Sequence, residues 1–122
     1  MHSSIAPETP AWNLLGKGVG DYSFNATWNK PLVPNGRIRR YRVYYTVDRT
    51  EPLSDWSLAY AGLTWVIIRR LEKHQVYYFK IQVVGRAGIG PMSTETAVVK
   101  AQAGGELPFR HLPRSLYVLR GE

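Results

Sequence analysis

The stretch that most constrains what this chain can fold into runs from Leu71 to Ser93, LEKHQVYYFKIQVVGRAGIGPMS, because it sets a corner, a half-buried strand and a turn in immediate succession. Tyr77, Phe79, Ile81 and Val83 fall on alternate positions, with Tyr78, Lys80, Gln82 and Val84 between them. Side chains of an extended chain point to opposite faces in turn, so this period buries one face and leaves the other outward. Leu71 stands six residues before Tyr77, across a short polar segment. A leucine that closes one strand and a tyrosine that opens the next have the form of a tyrosine corner, in which the phenol hydroxyl bonds the corner's backbone. The run Gly85-Arg86-Ala87-Gly88-Ile89-Gly90-Pro91 combines residues that tolerate positive φ with one that lacks an N–H. It predicts a turn, with a last strand over 93–101.

The rest of the chain repeats the pattern in short pieces. A lead-in over 5–10, with Pro7 and Pro10, precedes a first strand over 11–15, with Leu14 inward. Gly16-Lys17-Gly18-Val19-Gly20-Asp21 reads as a loop. Its glycines suit a phosphate cradle only between a strand and a helix, and no helical period follows. The strand over 22–29 turns Phe24, Ala26 and Trp28 inward and ends at Lys30-Pro31, before the turn Pro34-Asn35-Gly36. Over 38–46, Tyr41, Val43 and Tyr45 point inward and Arg40, Arg42 and Tyr44 outward. An acidic loop with Asp48, Glu51 and Asp55 leads to a short piece around Trp56, Leu58 and Tyr60. A strand over 64–71 buries Val66 and Ile68 and exposes Trp65, Ile67 and Arg69. Seven short strands separated by turn signals describe an all-β, seven-stranded antiparallel β-sandwich.

A chain of 122 residues, 44% of them apolar, supports one core. We divide it into a leader over 1–6, one domain over 7–102 and a linker or tail over 103–122, where Leu116 and Val118 alternate like the opening strand of a further repeat. Without cysteine there is no disulfide framework or thiolate metal site. No apolar run approaches a membrane span, and Met1-His2-Ser3-Ser4 lacks the features of a signal peptide, which suits a cytosolic chain or a piece of a larger one. His2, His74 and His111 lie far apart, the acidic loop lacks calcium-loop spacing, and no serine has a base or elbow beside it. No catalytic residue, metal or cofactor is expected. The net charge of +7 belongs to the domain, where Lys and Arg outnumber acids 13 to 7 through Ala103, and it favours an acidic partner.

Leu14, Trp28, Tyr41, Leu71, Tyr77 and the turn Gly88-Ile89-Gly90-Pro91-Met92-Ser93 stand in the order and spacing of a fibronectin type III domain, which the chain resembles from Pro7 to Gln102. Within that family, the run Tyr77-Tyr78-Phe79-Lys80-Ile81-Gln82, the turn that follows it, and the pairs Tyr44-Tyr45 and Asp55-Trp56 resemble the membrane-proximal repeats of the neogenin and deleted-in-colorectal-cancer family of guidance receptors. The resemblance implies a non-catalytic extracellular repeat of a cell-surface adhesion or guidance receptor. Its partner would be a protein ligand or a neighbouring repeat, with the membrane reached only through a parent chain.

Three surface features remain. Ile38-Arg39-Arg40-Tyr41-Arg42-Val43 fits the heparin-type alternation of basic and non-basic residues. With this strand beside 77–84, Arg39, Arg40, Arg42, Tyr44, Tyr78 and Lys80 form a candidate face for heparan sulfate or an acidic protein, since guanidinium pairs bidentately with sulfate and stacks on tyrosine. The bland alternative is an Arg–aromatic ladder that only solvates the sheet of a structural spacer repeat. Nucleic acid is disfavoured, because Tyr41 and Tyr45 face inward and no ribonucleoprotein signature is present. Asn25-Ala26-Thr27 is an acceptor for N-glycosylation on the solvent side of its strand, and Trp65 with Ile67 forms an exposed apolar pair suited to a neighbouring repeat or a covering glycan.

Overall fold

The computed structural model describes residues 5–103; the readings given for 1–4 and 104–122, His2 and His111 among them, lie outside the described residues. Eight strands follow one another: β1 (Trp12–Gly20), β2 (Ser23–Asn29), β3 (Ile38–Thr46), β4 (Ser57–Ala61), β5 (Trp65–Ile68), β6 (Val76–Gly85), β7 (Ile89–Met92) and β8 (Ala97–Lys100), with one 3-10 turn, Leu53–Asp55, before β4. They form two antiparallel sheets. One has the order β1-β2-β5; the other has the order β4-β3-β6-β7, with β8 also paired to β6.

The alternation read from the sequence makes the core between the sheets. Phe24, Ala26 and Trp28 face Tyr41, Val43, Tyr77, Phe79, Ile81 and Val83, and Leu14, Ile68 and Leu71 close the ends. The rings of Phe24 and Phe79 stack with centroids 5.6 Å apart, and Trp28 meets Tyr41 edge-on at 5.2 Å. Offset and edge-on pairs add to area burial because the ring edge is positive and the face negative. Burial pushes the Tyr41 hydroxyl above the ordinary phenol value, with the Trp28 indole N–H acting weakly the other way. Neither the Trp28 Nε1 nor the Tyr41 hydroxyl finds a hydrogen-bond partner of good geometry among the described residues.

The corner forms as read. The Tyr77 hydroxyl accepts a hydrogen bond from the Glu72 N–H at 2.8 Å, and the Leu71 N–H donates to the Tyr22 carbonyl at 2.9 Å, which ties β5 to β2 as the chain leaves the sheet. Arg70 and His74 bracket the turn at φ of 63° and 59°. Tyr77→Phe keeps the buried ring but leaves the Glu72 N–H to water, so it should lower stability by about 1 kcal/mol. The check is a urea titration in which the midpoint falls while the slope stays constant; no change in midpoint would make the corner bond incidental.

Three segments and one side-chain direction differ most from the sequence reading, because partners distant in sequence override local signals; β5 also stops at Ile68, short of the 64–71 read from the sequence. The segment Gly16–Gly20, read as a loop, is the second half of β1. A Cβ on Gly16 would lie 2.6 Å from the Val99 Cβ, and one on Gly18 would lie 2.4 Å from the Lys100 carbonyl oxygen. Glycine here permits close approach to β8 instead of a turn. Ile89–Met92, read as part of the turn, is strand β7, paired to β6 at Gln82↔Met92 and Val84↔Ile89. The last strand is Ala97–Lys100, shorter than 93–101, since Ser93 interrupts the edge. Its Oγ accepts the buried Ile81 N–H at 3.0 Å and donates to the Glu95 carbonyl at 3.1 Å, replacing a ladder bond where the strand breaks. β7 and β8 thus pair with successive stretches of β6, and counting them as one edge strand gives the seven of the sequence reading. Val84, read as outward, is buried between its register partners Arg40 and Ile89.

Candidate interaction face

The basic residues singled out in the sequence lie on the outer face of the larger sheet, and register sets their neighbours. β3 pairs with β6 through Arg40↔Val84, Arg42↔Gln82 and Tyr44↔Lys80, and with β4 through Arg42↔Tyr60 and Tyr44↔Leu58. Directly opposed residues of an antiparallel pair stand within reach of one another. Arg40, Arg42, Tyr44, Tyr78 and Lys80 therefore share one surface.

Each of three cations on this surface lies over an aromatic ring. The Arg40 guanidinium is 4.5 Å from the Tyr60 centroid, the Lys80 ammonium 5.6 Å from Trp56, and the Arg49 guanidinium 5.7 Å from Tyr78. Such contacts fix the cation on the ring while its outer N–H groups still face solvent. Arg42 is half-buried with its Nε unpartnered. The Tyr44 hydroxyl reaches the Gln82 Oε1 at 3.5 Å, and the Gln82 amide holds the Gly90 carbonyl at 3.2 Å. Among the described residues, the ion pairs join Asp21 to Lys73 and His74, at the corner that leads into β6, and no carboxylate pairs with the arginines of β3.

Two nearby acids, Glu51 and Asp48, are turned to other work. Glu51 accepts the Thr46 hydroxyl at 2.6 Å. Asp48 caps the loop through the Thr50 N–H at 3.0 Å and hydroxyl at 2.6 Å, bonds that hold its carboxyl below the usual carboxylate range. Among the described residues no group of three or more His, Asp or Glu side chains is placed to hold a metal ion.

Arg39 is not part of this face. β3 carries a bulge between Ile38 and Arg40, whose partners are Gly85 and Val84, so Arg39 is the extra residue and strict alternation fails there. It lies with Arg37, Ile38 and Arg86 around a separate recess at the end of the sandwich. Sequence reasoning missed three members of the face. The alternation of Leu58 and Tyr60 in β4 carried a signal for Tyr60, whereas Trp56 and Arg49 arrive from loop positions to which no period applies.

On the smaller sheet, Asn25 sits in the central strand with register partners Lys17 and Ile67, and Thr27 lies between Leu15 and Trp65. Trp65 is exposed, as the sequence reading held, while Ile67 is half-buried.

Two antiparallel sheets in this order, closed by a tyrosine corner, define a β-sandwich domain. The chain belongs to the Fibronectin type III domain family, which matches residues 6–99. It is 37% identical over 98 residues to Tyrosine-protein phosphatase Lar of Drosophila melanogaster, a match covering 80% of this chain and 5% of that protein. It is also 37% identical over 70 residues to Netrin receptor DCC of Homo sapiens, covering 55% of this chain and 5% of the receptor, in line with the guidance-receptor resemblance. The chain thus spans about one-twentieth of these relatives' length. Among solved structures, titin domains A168–A170 superpose with a TM-score of 0.68 at 22% identity, covering 80% of this chain and 32% of that one. The FN5 domain of Drosophila Lar superposes at 0.61 and 18%, covering 82% of this chain and all of that domain. These two likenesses establish the fold alone.

Proposed function

We propose that this domain is a non-catalytic interaction module of a cell-surface receptor, displayed outside the cell, and that the outer face of its larger sheet engages a sulfated polyanion of the heparan sulfate type. The observation that carries the reading is the line of Arg40, Arg42, Lys80 and Arg49 on one surface with no carboxylate among the described residues paired to any of them. Stacking on Tyr60, Trp56 and Tyr78 pre-positions three of these cations, which lowers the ordering cost of binding an extended anion. Receptor placement is supported by the netrin receptor and receptor-type phosphatases among the relatives. Among the described residues no helix is long and apolar enough to cross a membrane.

A second reading has its own support. The same stacking gives each cation a partner within the domain, as in a spacer repeat whose sheet is merely well solvated. Heparin chromatography separates the two. Arg40→Ala with Arg42→Ala should advance elution and reduce the log–log salt slope of binding by about 1 per arginine, while the melting temperature moves much less than for a core truncation, because Arg40 is exposed and the half-buried Arg42 has no ion pair among the described residues to lose. Unchanged retention would favour the spacer. Retention lost for heparin but kept for an acidic protein would move the assignment to a protein partner.

A further inference from the structure

The outer face of the smaller sheet carries large exposed apolar side chains beside its polar ones. Leu15 is 59% exposed and Trp65 50% exposed, on either side of Thr27 in one cross-strand row. In the next row Lys17 and Ile67 flank Asn25. Asn25-Ala26-Thr27 is the only Asn-X-Ser/Thr sequence in the chain, and the other asparagines, Asn13, Asn29 and Asn35, are followed two residues on by Leu, Pro and Arg. Strand alternation explains why the acceptor stands at the centre of this patch: Ala26 is fully buried beneath it, so Asn25 and Thr27 must both point outward. The Asn25 side-chain amide makes no hydrogen bond among the described residues, and its residue is half-buried, so the amide is not held by the sheet around it.

We propose that Asn25 is an N-glycosylation site and that the first sugars of its glycan lie over Trp65 and Leu15. The step joins Nδ2 to C1 of the first N-acetylglucosamine of a lipid-pyrophosphate-linked oligosaccharide; the Nδ2 proton is lost and the lipid pyrophosphate leaves. In the folded domain the Thr27 hydroxyl reaches the Leu15 carbonyl at 3.5 Å and both residues lie in a paired strand, so transfer precedes closure of β1 on β2. Afterwards the C–H face of the sugar covers apolar surface that no other described element covers. Trp65 stands diagonally across β2 and β5 from Asn25, about 7–8 Å away at the backbone, within reach of a first sugar ring. The glycan would thereby occupy the small sheet and leave the basic face of the large sheet open.

This inference rests on the extracellular placement proposed above, but its test does not depend on the chain's native address or on heparin binding. The chain is expressed behind a cleavable signal peptide in a mammalian secretory host, and the secreted protein is weighed intact. The expected result is a mass increase that an asparagine-amidase removes, and that is absent from both Asn25→Gln and Thr27→Ala. An unmodified mass on secreted, folded protein would overturn the site. Covering is read separately by hydroxyl-radical labelling of the glycosylated protein and of the same preparation after enzymatic deglycosylation, which avoids any variant that folds poorly. Labelling at Trp65 should rise several-fold on deglycosylation while labelling at Tyr60 on the opposite face stays constant. Equal labelling at Trp65 in the two forms would overturn the covering.

Discussion

Trp28→Ala should destabilise the domain by about 3–5 kcal/mol, the usual cost of truncating a large core aromatic. Trp28 is 4% exposed and its ring meets Tyr41 edge-on at 5.2 Å, so alanine leaves a void against a ring held on its other sides. A domain of this size has about 5–15 kcal/mol of total stability, so the variant should stand near the edge of folding. Trp28→Phe provides the control. It keeps an aromatic ring and removes an indole N–H that is buried without a partner, and eliminating an unsatisfied donor offsets part of the lost packing. Denaturant titrations followed by far-ultraviolet circular dichroism check both. If the alanine variant lost less than about 1 kcal/mol, the core would be organised around something other than the Trp28–Tyr41 pair.

The second large effect is expected at a residue with no side chain. Gly18→Ala should cost about 2–3 kcal/mol, toward the upper end of what overpacking costs. Its Cβ would meet the Lys100 carbonyl oxygen at 2.4 Å, the Gln102 carbonyl oxygen at 2.6 Å and the Gln102 nitrogen at 2.9 Å. All three are backbone atoms, so no rotamer change relieves the contact and β1 or the end of β8 must move. Gly62→Ala is the comparison, since nothing lies within 4 Å of its Cβ. Equal stability of the two variants would mean that β1 and β8 are held less closely than these distances state.

What the sequence revealed divides along a physical line. Wherever a residue's environment was set by near neighbours, the residues announced it: the period of Tyr77 to Val83 placed a core wall, and the Leu71–Tyr77 spacing placed the corner hydroxyl on the Glu72 N–H. Where the environment came from a distant segment, the local signal misled. Gly16 and Gly18 read as a loop because the atoms that require glycine belong to Val99, Lys100 and Gln102. Ile89–Met92 contains turn-forming residues but is drawn into the sheet by Gln82 and Val84. The basic face was legible for Arg40, Arg42, Tyr44, Tyr78 and Lys80, whose parity is unbroken, and illegible for Arg39, displaced by a bulge, and for Arg49, carried to Tyr78 by a loop.

The tight seam between β1 and β8 bears on how such a domain behaves when crowded beside others of its kind. Every open sheet ends in strands with unpaired N–H and C=O groups, which invite another chain to add on and seed aggregates. Here the glycine-bearing half of β1 and the end of β8 shield one another, because no side chain holds them apart. The edges left on the far side are β5, with four residues, and β4, with five, each too short to template a long partner. A substitution that pried the seam open would uncover the nine-residue β1. Its first consequence would be association between copies, visible as turbidity or light scattering at temperatures where the circular dichroism is still that of the folded state.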